Sequence, residues 1–169
     1  MNQSGRSTLT RRAALQSVCG VTVAALAPAR RLLAAEPISP VMTTLSTYMS
    51  QAKDHDLPAE VIEKAKHHIL DSLAAMVSGA ELLPGKTAIR FAAAHPGDKV
   101  ATVAGSKVLC GAADAALANG ILAHSDETDD YAPLGTHPGA ALVPAALALA
   151  EPGGSDGTRF LRAVTLGYD

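Results

Sequence analysis

Apolar residues recur at helical spacing along most of the chain, and proline, glycine and capping residues mark the breaks between the runs. Ser39-Pro40 supplies an N-cap followed by proline at the first helical position; Val41, Leu45, Tyr48, Met49 and Ala52 follow, predicting a helix that ends near Lys53. Asp56-Leu57-Pro58 opens a second, in which Val61, Ile62, Ala65, Ile69, Leu73, Met76 and Val77 form one stripe and Gly79 is the stop. Pro84-Gly85 reads as a turn, and Lys86 to His95 as a shorter helix carrying Ile89, Phe91 and Ala92, closed by Pro96-Gly97. Val100 to Ala104 suits a brief strand or an extended link. An alanine-rich helix is then predicted from Leu109 to His124, where Ala112, Ala116 and Gly120 leave room for another helix to come close. Ser125 to Thr136 is polar and irregular. Pro138 starts a further helix through Leu142, Val143, Ala146, Leu147 and Leu149 to Glu151-Pro152-Gly153-Gly154, and Asp156 caps a last one carrying Phe160, Leu161 and Val164. The pattern is that of an all-α helical bundle.

Composition narrows the picture. A chain of 169 residues, 48% hydrophobic and 18% charged, is long enough for one domain with an ordinary core, which excludes a disordered tail, a collagen-like rod and a disulfide scaffold. Only 3% of the residues are aromatic, none is tryptophan and roughly a fifth are alanine, so the core is expected to be small aliphatic side chains between closely packed helices. Of the 14 Lys and Arg, five (Arg6, Arg11, Arg12, Arg30, Arg31) lie in the first 35 residues beside no acid, leaving nine against 16 Asp and Glu in the remainder. That acidic balance argues against a nucleic-acid partner, which needs clustered basic residues.

The basic start, Asn2 to Arg12, leads into a weakly apolar stretch from Ala13 to Ala29, then Arg30-Arg31 and Leu32-Leu33-Ala34-Ala35. This is the layout of a bacterial export signal. Ser7-Thr8-Leu9-Thr10-Arg11-Arg12-Ala13-Ala14-Leu15 resembles the twin-arginine motif, so residues 1–35 are expected to be removed and residues 36–169 to reach the periplasm, a cytoplasmic location being the alternative. The apolar run of about 17 residues falls short of the ~20 that span a bilayer, so no stable membrane span is expected after cleavage. Cys19 lies in this segment and Cys110 is left as a lone thiol, expected to be a small buried hydrophobe without a disulfide.

Titratable groups concentrate in one place. Between His124 and His137 lie Asp126, Glu127, Asp129 and Asp130, flanked by two largely apolar helices. Crowded carboxylates next to imidazoles are the groups that take a proton from carbon and return one to a leaving group. A solvated acidic loop is the plainer alternative. His124, Asp126, Asp130 and His137 are possible metal ligands, but the segment lacks the alternating acids, glycine and closing glutamate of an EF-hand, and no HExxH occurs; no metal is expected. Gly85-Lys86-Thr87 lacks the earlier glycine of a phosphate-binding P-loop, and Ser50-Gln51-Ala52-Lys53 lacks the companion motifs of penicillin-binding enzymes.

Ala118-Asn119-Gly120-Ile121-Leu122-Ala123-His124, the acidic stretch ending Asp129-Asp130, and Thr136-His137-Pro138-Gly139-Ala140-Ala141-Leu142-Val143-Pro144-Ala145 together resemble the MmgE/PrpD family. Its members include 2-methylcitrate dehydratase, cis-aconitate decarboxylase and iminodisuccinate epimerase. Leu57-Pro58-Ala59-Glu60-Val61, Ala65-Lys66, Leu70-Asp71-Ser72-Leu73, Gly157 and Gly167-Tyr168 extend the likeness over about residues 40–169. The resemblance implies the N-terminal part of an all-helical domain whose α+β lid lies outside this chain, a homodimer, and cofactor-independent lyase or isomerase chemistry on a small polycarboxylate. By position it assigns catalysis to Glu127 and His137, with His124, Asp126, Asp129 and Asp130 binding substrate or supporting the loop. Many relatives carry an aspartate at Glu127 and an apolar residue at Asp126, so the longer side chain and the extra acid bear on which substrate is taken. The alternative reading is an inactive helical module for binding or dimerisation, or a remnant.

Overall fold

The structure is a computed structural model, and it describes residues 38–52, 55–133 and 135–169. The export signal expected at residues 1–35 lies outside the described residues. Six helices and one hairpin are present among them: α1 Pro40–Ala52, α2 Ala59–Gly79, α3 Leu83–Ala94, β1 Ala101–Thr102, β2 Leu109–Cys110, α4 Ala112–Ala123, α5 Pro138–Gly153 and α6 Gly157–Tyr168. The chain divides into two compact units, Met1–Ser46 and Thr47–Asp169; the second holds the core and the clustered acids. No described helix is long and apolar enough to cross a membrane.

The all-α expectation holds, and α4 is its centre. This helix packs against α2, α3 and α5 at once, which is why it has apolar or small residues nearly all round rather than on one stripe. Ala115, Ala118, Leu122 and Ala123 are buried there together with Met76 of α2, Ala88 and Ala92 of α3, Val143 and Ala148 of α5 and Val164 of α6. Five aromatic residues in the whole chain leave alanine to fill this core, and the helices approach accordingly. Where α2 meets α4, a Cβ on Gly79 would overlap the Leu122 carbonyl oxygen. Gly79 therefore serves close packing; Ala80 after it is still right-handed, so it does not end the helix by a left-handed turn.

Three expected boundaries or faces change. Pro84 and Gly85 lie in the first turn of α3 instead of in a turn before it, because proline at the helix start gives up only an N–H that has no intrahelical partner. Leu109 and Cys110 are not helical: they pair antiparallel with Thr102 and Ala101, and Gly111, extended, is the residue from which α4 begins. Asn119 pins this hairpin to α4, its Oδ1 accepting from Ala104 N at 2.8 Å and its Nδ2 donating to the Thr102 carbonyl at 2.9 Å. On α2 the buried face runs through Ala65, Ser72, Ala75 and Met76, while Val77, placed on the stripe by spacing, is 60% exposed. Three local features fall as expected. Cys110 is buried and unpaired, with burial pushing its thiol pKa up; Asp156 caps α6 by accepting from Arg159 N at 2.8 Å; and Gly154, left-handed, ends α5.

The Gly79 contact is testable. Gly79→Ala should lower unfolding free energy by more than about 2 kcal/mol, because the obstructing atom is backbone and cannot rotate away. Gly157→Ala, where a Cβ meets open space, should stay within about 0.5 kcal/mol of the parent. Urea titrations of both variants decide; equal midpoints would show that α2 and α4 do not meet this closely.

Candidate active site

The connection from α4 to α5 begins at His124, the C-cap of α4, and ends at His137, the N-cap of α5. Because these two helices lie side by side, the segment between them must leave one helix end and return to the neighbouring one. It does so by folding on itself: Ala132 and Thr136 bridge, with Ala132 N donating to the Thr136 carbonyl at 2.8 Å, and Gly135 turns with φ 73°. The return brings the two histidines to within 4.8 Å, ring centre to ring centre.

Asp129 lies between them. Its carboxylate is fully buried, with Oδ1 3.2 Å from His124 Nδ1 and 3.3 Å from His137 Nδ1. A buried carboxylate is costly unless donors or cations compensate it, and here the compensating groups are two imidazoles. His124 is about half exposed and His137 a quarter exposed, so the pair opens to solvent on one side. The Nδ1 of His137 is buried and out of line for a hydrogen bond to Asp129, and the Tyr131 ring meets the His137 ring edge-on at 5.8 Å.

Asp130 works separately. Its Oδ1 accepts from the Gly139 N–H at 2.8 Å, its Oδ2 from the Tyr168 hydroxyl at 2.6 Å, and His68 Nδ1 stands 3.6 Å away. The His68 ring lies against that of Tyr168 at 4.8 Å, and the buried Ser72 hydroxyl, without a partner, borders the same place. A Cβ on Gly139 would stand 2.6 Å from Asp130 Oδ1, 2.7 Å from Ser72 Oγ and 2.8 Å from the Tyr168 hydroxyl, so only glycine fits. Burial, and then the hydrogen bond to the Asp130 carboxylate, push the Tyr168 hydroxyl pKa well above its usual value.

The six residues expected to act together thus divide. His124, Asp129 and His137 form one group; Asp130 holds the start of α5; Asp126 fastens the loop to α2, accepting from Thr128 Oγ1 at 2.7 Å and Ser78 Oγ at 2.9 Å, contacts that hold its pKa below the usual carboxylate range. Glu127 is exposed and lies outside the histidine group, at φ 54°. That left-handed backbone is strained for a glutamate. His68, Ser72 and Tyr168 escaped the reading of the loop as a site. A serine on the buried face of α2 with a histidine one turn before it was the available signal, since a polar group there needs a partner.

Any ion-binding capacity among the described residues differs from the sequence candidates as well. One donor atom from each of His124, Asp129 and His137 lies within 4.8 Å of the others, a set of two imidazoles and a carboxylate that suits a first-row transition ion, whereas Asp126 and Asp130 stand apart. The same contacts are those of a carboxylate orienting two imidazoles for proton transfer.

Proton linkage at Tyr168 sets an expectation. The unfolded chain loses the tyrosine proton near the ordinary value of 10.0, while the folded chain retains it, so the stability this group contributes is full below pH 10.0 and falls as pH rises above it. Urea midpoints measured from about pH 8 to pH 11 should decline more steeply for the parent than for Tyr168→Phe. Parallel curves would show that Tyr168 is not held in this way.

Comparison with known proteins agrees with the family likeness of the sequence. The MmgE/PrpD N-terminal domain profile matches residues 43–169. The cis-aconitate decarboxylase-like protein oryM of Aspergillus oryzae is 31% identical over 118 residues, covering 68% of this chain and 24% of that protein, so the chain spans about a quarter of its relative's length. No solved structure matches significantly. A match over most of the chain, running through both histidines and the acids between them, places the chain in the MmgE/PrpD family.

Proposed function

We propose that this chain supplies part of the site of a cofactor-independent lyase or isomerase that moves a proton at a carbon alpha to a carboxylate of a small polycarboxylate, in the manner of 2-methylcitrate dehydratase, and that the complete protein is a homodimer. The observation that carries this reading is the buried Asp129 carboxylate set between the imidazoles of His124 and His137 at the open end of two helices. Family membership and the decarboxylase-like name of the relative support the reaction class.

In the proposed step His137, as the neutral imidazole, takes the proton from the alpha carbon, and the electron pair left behind delocalises into the adjacent carboxylate. Dehydration then expels hydroxide, which leaves as water with the proton from His137. In decarboxylation the carbanion arises instead by loss of carbon dioxide and takes its proton from His137, which on that route starts as the imidazolium and ends neutral, and epimerisation returns a proton on the opposite face. Asp129 holds the His124 imidazole by a hydrogen bond and, 3.3 Å from His137 Nδ1, balances the charge that forms on His137. Glu127, exposed and held in a strained conformation, is the second catalytic carboxylate, its strain being of the kind that accumulates at functional positions. The segment from 124 to 137 has no Lys or Arg, so the cations that bind the substrate's carboxylates come from elsewhere.

Deuterium exchange tests this without requiring a full turnover. Incubated in deuterated water with cis-aconitate, citrate or 2-methylcitrate, the protein should wash deuterium into one of them, and His137→Ala should slow the exchange by ~100-fold or more. A loss of less than about threefold overturns the role of His137. No exchange from a protein that melts cooperatively favours the alternative of a helical binding or dimerising module.

We also propose export to the periplasm, supported by the paired arginines and the weakly apolar run after them. Replacing Arg11 and Arg12 by lysine should hold the protein in the cytoplasmic fraction, unprocessed. Unchanged fractionation argues for the cytoplasmic alternative.

A further inference from the structure

His137 occupies the N-cap position of α5, yet its side chain makes no capping hydrogen bond. An N-cap side chain normally accepts from the second or third N–H of its own helix, and an aspartate, asparagine or serine there would do so. In α5 the N–H of Gly139, the second helical residue, is instead taken by Asp130, nine positions away across the folded loop. A carboxylate placed there also meets the positive end of the helix dipole. With capping delegated, the imidazole of His137 is left to face Asp129.

The seat of this external cap is built from three elements. The Tyr168 hydroxyl, at the last turn of α6, donates to the other oxygen of Asp130, and that carboxylate is 8% exposed. His68 of α2 packs on the Tyr168 ring and reaches toward the same oxygen, while Ser72 and the bare Cα of Gly139 close the remaining space. Neighbouring carboxylates thus serve opposite ends of one task, Asp129 meeting the imidazole and Asp130 holding the backbone that carries it.

We infer that Asp130, clamped by Tyr168, is a positioning residue for His137: it substitutes for the N-cap side chain and thereby sets where the imidazole stands relative to Asp129. The inference deepens the proposed function and rests on His137 being the proton-transfer group, but its primary readout is the place of the imidazole rather than any activity.

The full chain, labelled with nitrogen-15 at histidine and glycine, reports this directly through the imidazole and amide nitrogen resonances, those of His137 assigned with His137→Gln. Asp130→Ala should move the His137 ring resonances and the Gly139 amide, and Asp130→Asn, which retains an oxygen to accept that N–H, should return both toward their parent positions. Tyr168→Phe, which removes one hydrogen bond and little volume, should produce a smaller shift in the same direction. Unchanged His137 resonances in a folded Asp130→Ala chain overturn the inference; if that variant does not fold, unchanged resonances in Tyr168→Phe overturn it. Failure of Asp130→Asn to restore the ring while it restores the melting temperature also overturns it, because stability recovered without the ring position marks a merely structural role. Where exchange into a polycarboxylate is measurable, Asp130→Ala should lower its maximal rate by ~10- to 100-fold with little change in the concentration giving half that rate. Absence of exchange in the parent would count against the proposed function alone and leave the resonance test standing.

Discussion

Backbone meets backbone where α2, α4 and α5 come together, and that contact governs both the core and the site. Gly79 of α2 sits against the Leu122 carbonyl of α4, and Gly120 of α4 faces the Ala140 carbonyl of α5, where a Cβ would stand at 3.1 Å. The second contact has a local cause. Pro144 has no N–H to give to the Ala140 carbonyl one turn earlier, so that oxygen lacks its usual partner within the helix. Alanine and glycine elsewhere on these helices keep the spacing short enough for a core with few large side chains.

The same proximity produces the chemistry. Two helices packed this closely place the C-terminal end of one beside the N-terminal start of the next, and His124 and His137 occupy those ends. A loop that spans so small a gap has to fold inward, which drives Asp129 and Asp130 out of water. Each then needs compensation, and each obtains it from a different direction: Asp129 from the imidazoles, Asp130 from a backbone N–H and a tyrosine hydroxyl. Consecutive acids in the sequence are therefore not a shared charge cluster. Asp126, turned toward Ser78 and Thr128, ties the loop to α2 from outside, and Glu127 is left exposed at φ 54°.

Several parts of this arrangement are legible in the chain itself. Helix existence and most helix ends follow from apolar spacing and from Pro40, Asp156 and Gly154, because capping and the 3.6-residue period are local properties. Leu109 and Cys110 were less readable, since a two-residue strand exists only through its partner β1 and through Asn119, both distant in sequence. Val77 shows the same limit: spacing placed it with the buried face, but which degrees of that face are covered depends on how α4 and α6 cross α2.

What the sequence determined alone is the all-α class, the alanine-built core, the membership-bearing motifs and the loop from 124 to 137 as the place where titratable groups gather. Only the tertiary structure decided the division of labour within that loop. It set His137 beside Asp129, gave Asp130 to Gly139 and Tyr168, and brought His68 and Ser72 into the account from a helix some sixty residues upstream. The physical reason is that desolvation belongs to the packed molecule: a carboxylate has no need of a particular partner until neighbouring helices remove its water, and which partner then serves it depends on where those helices end.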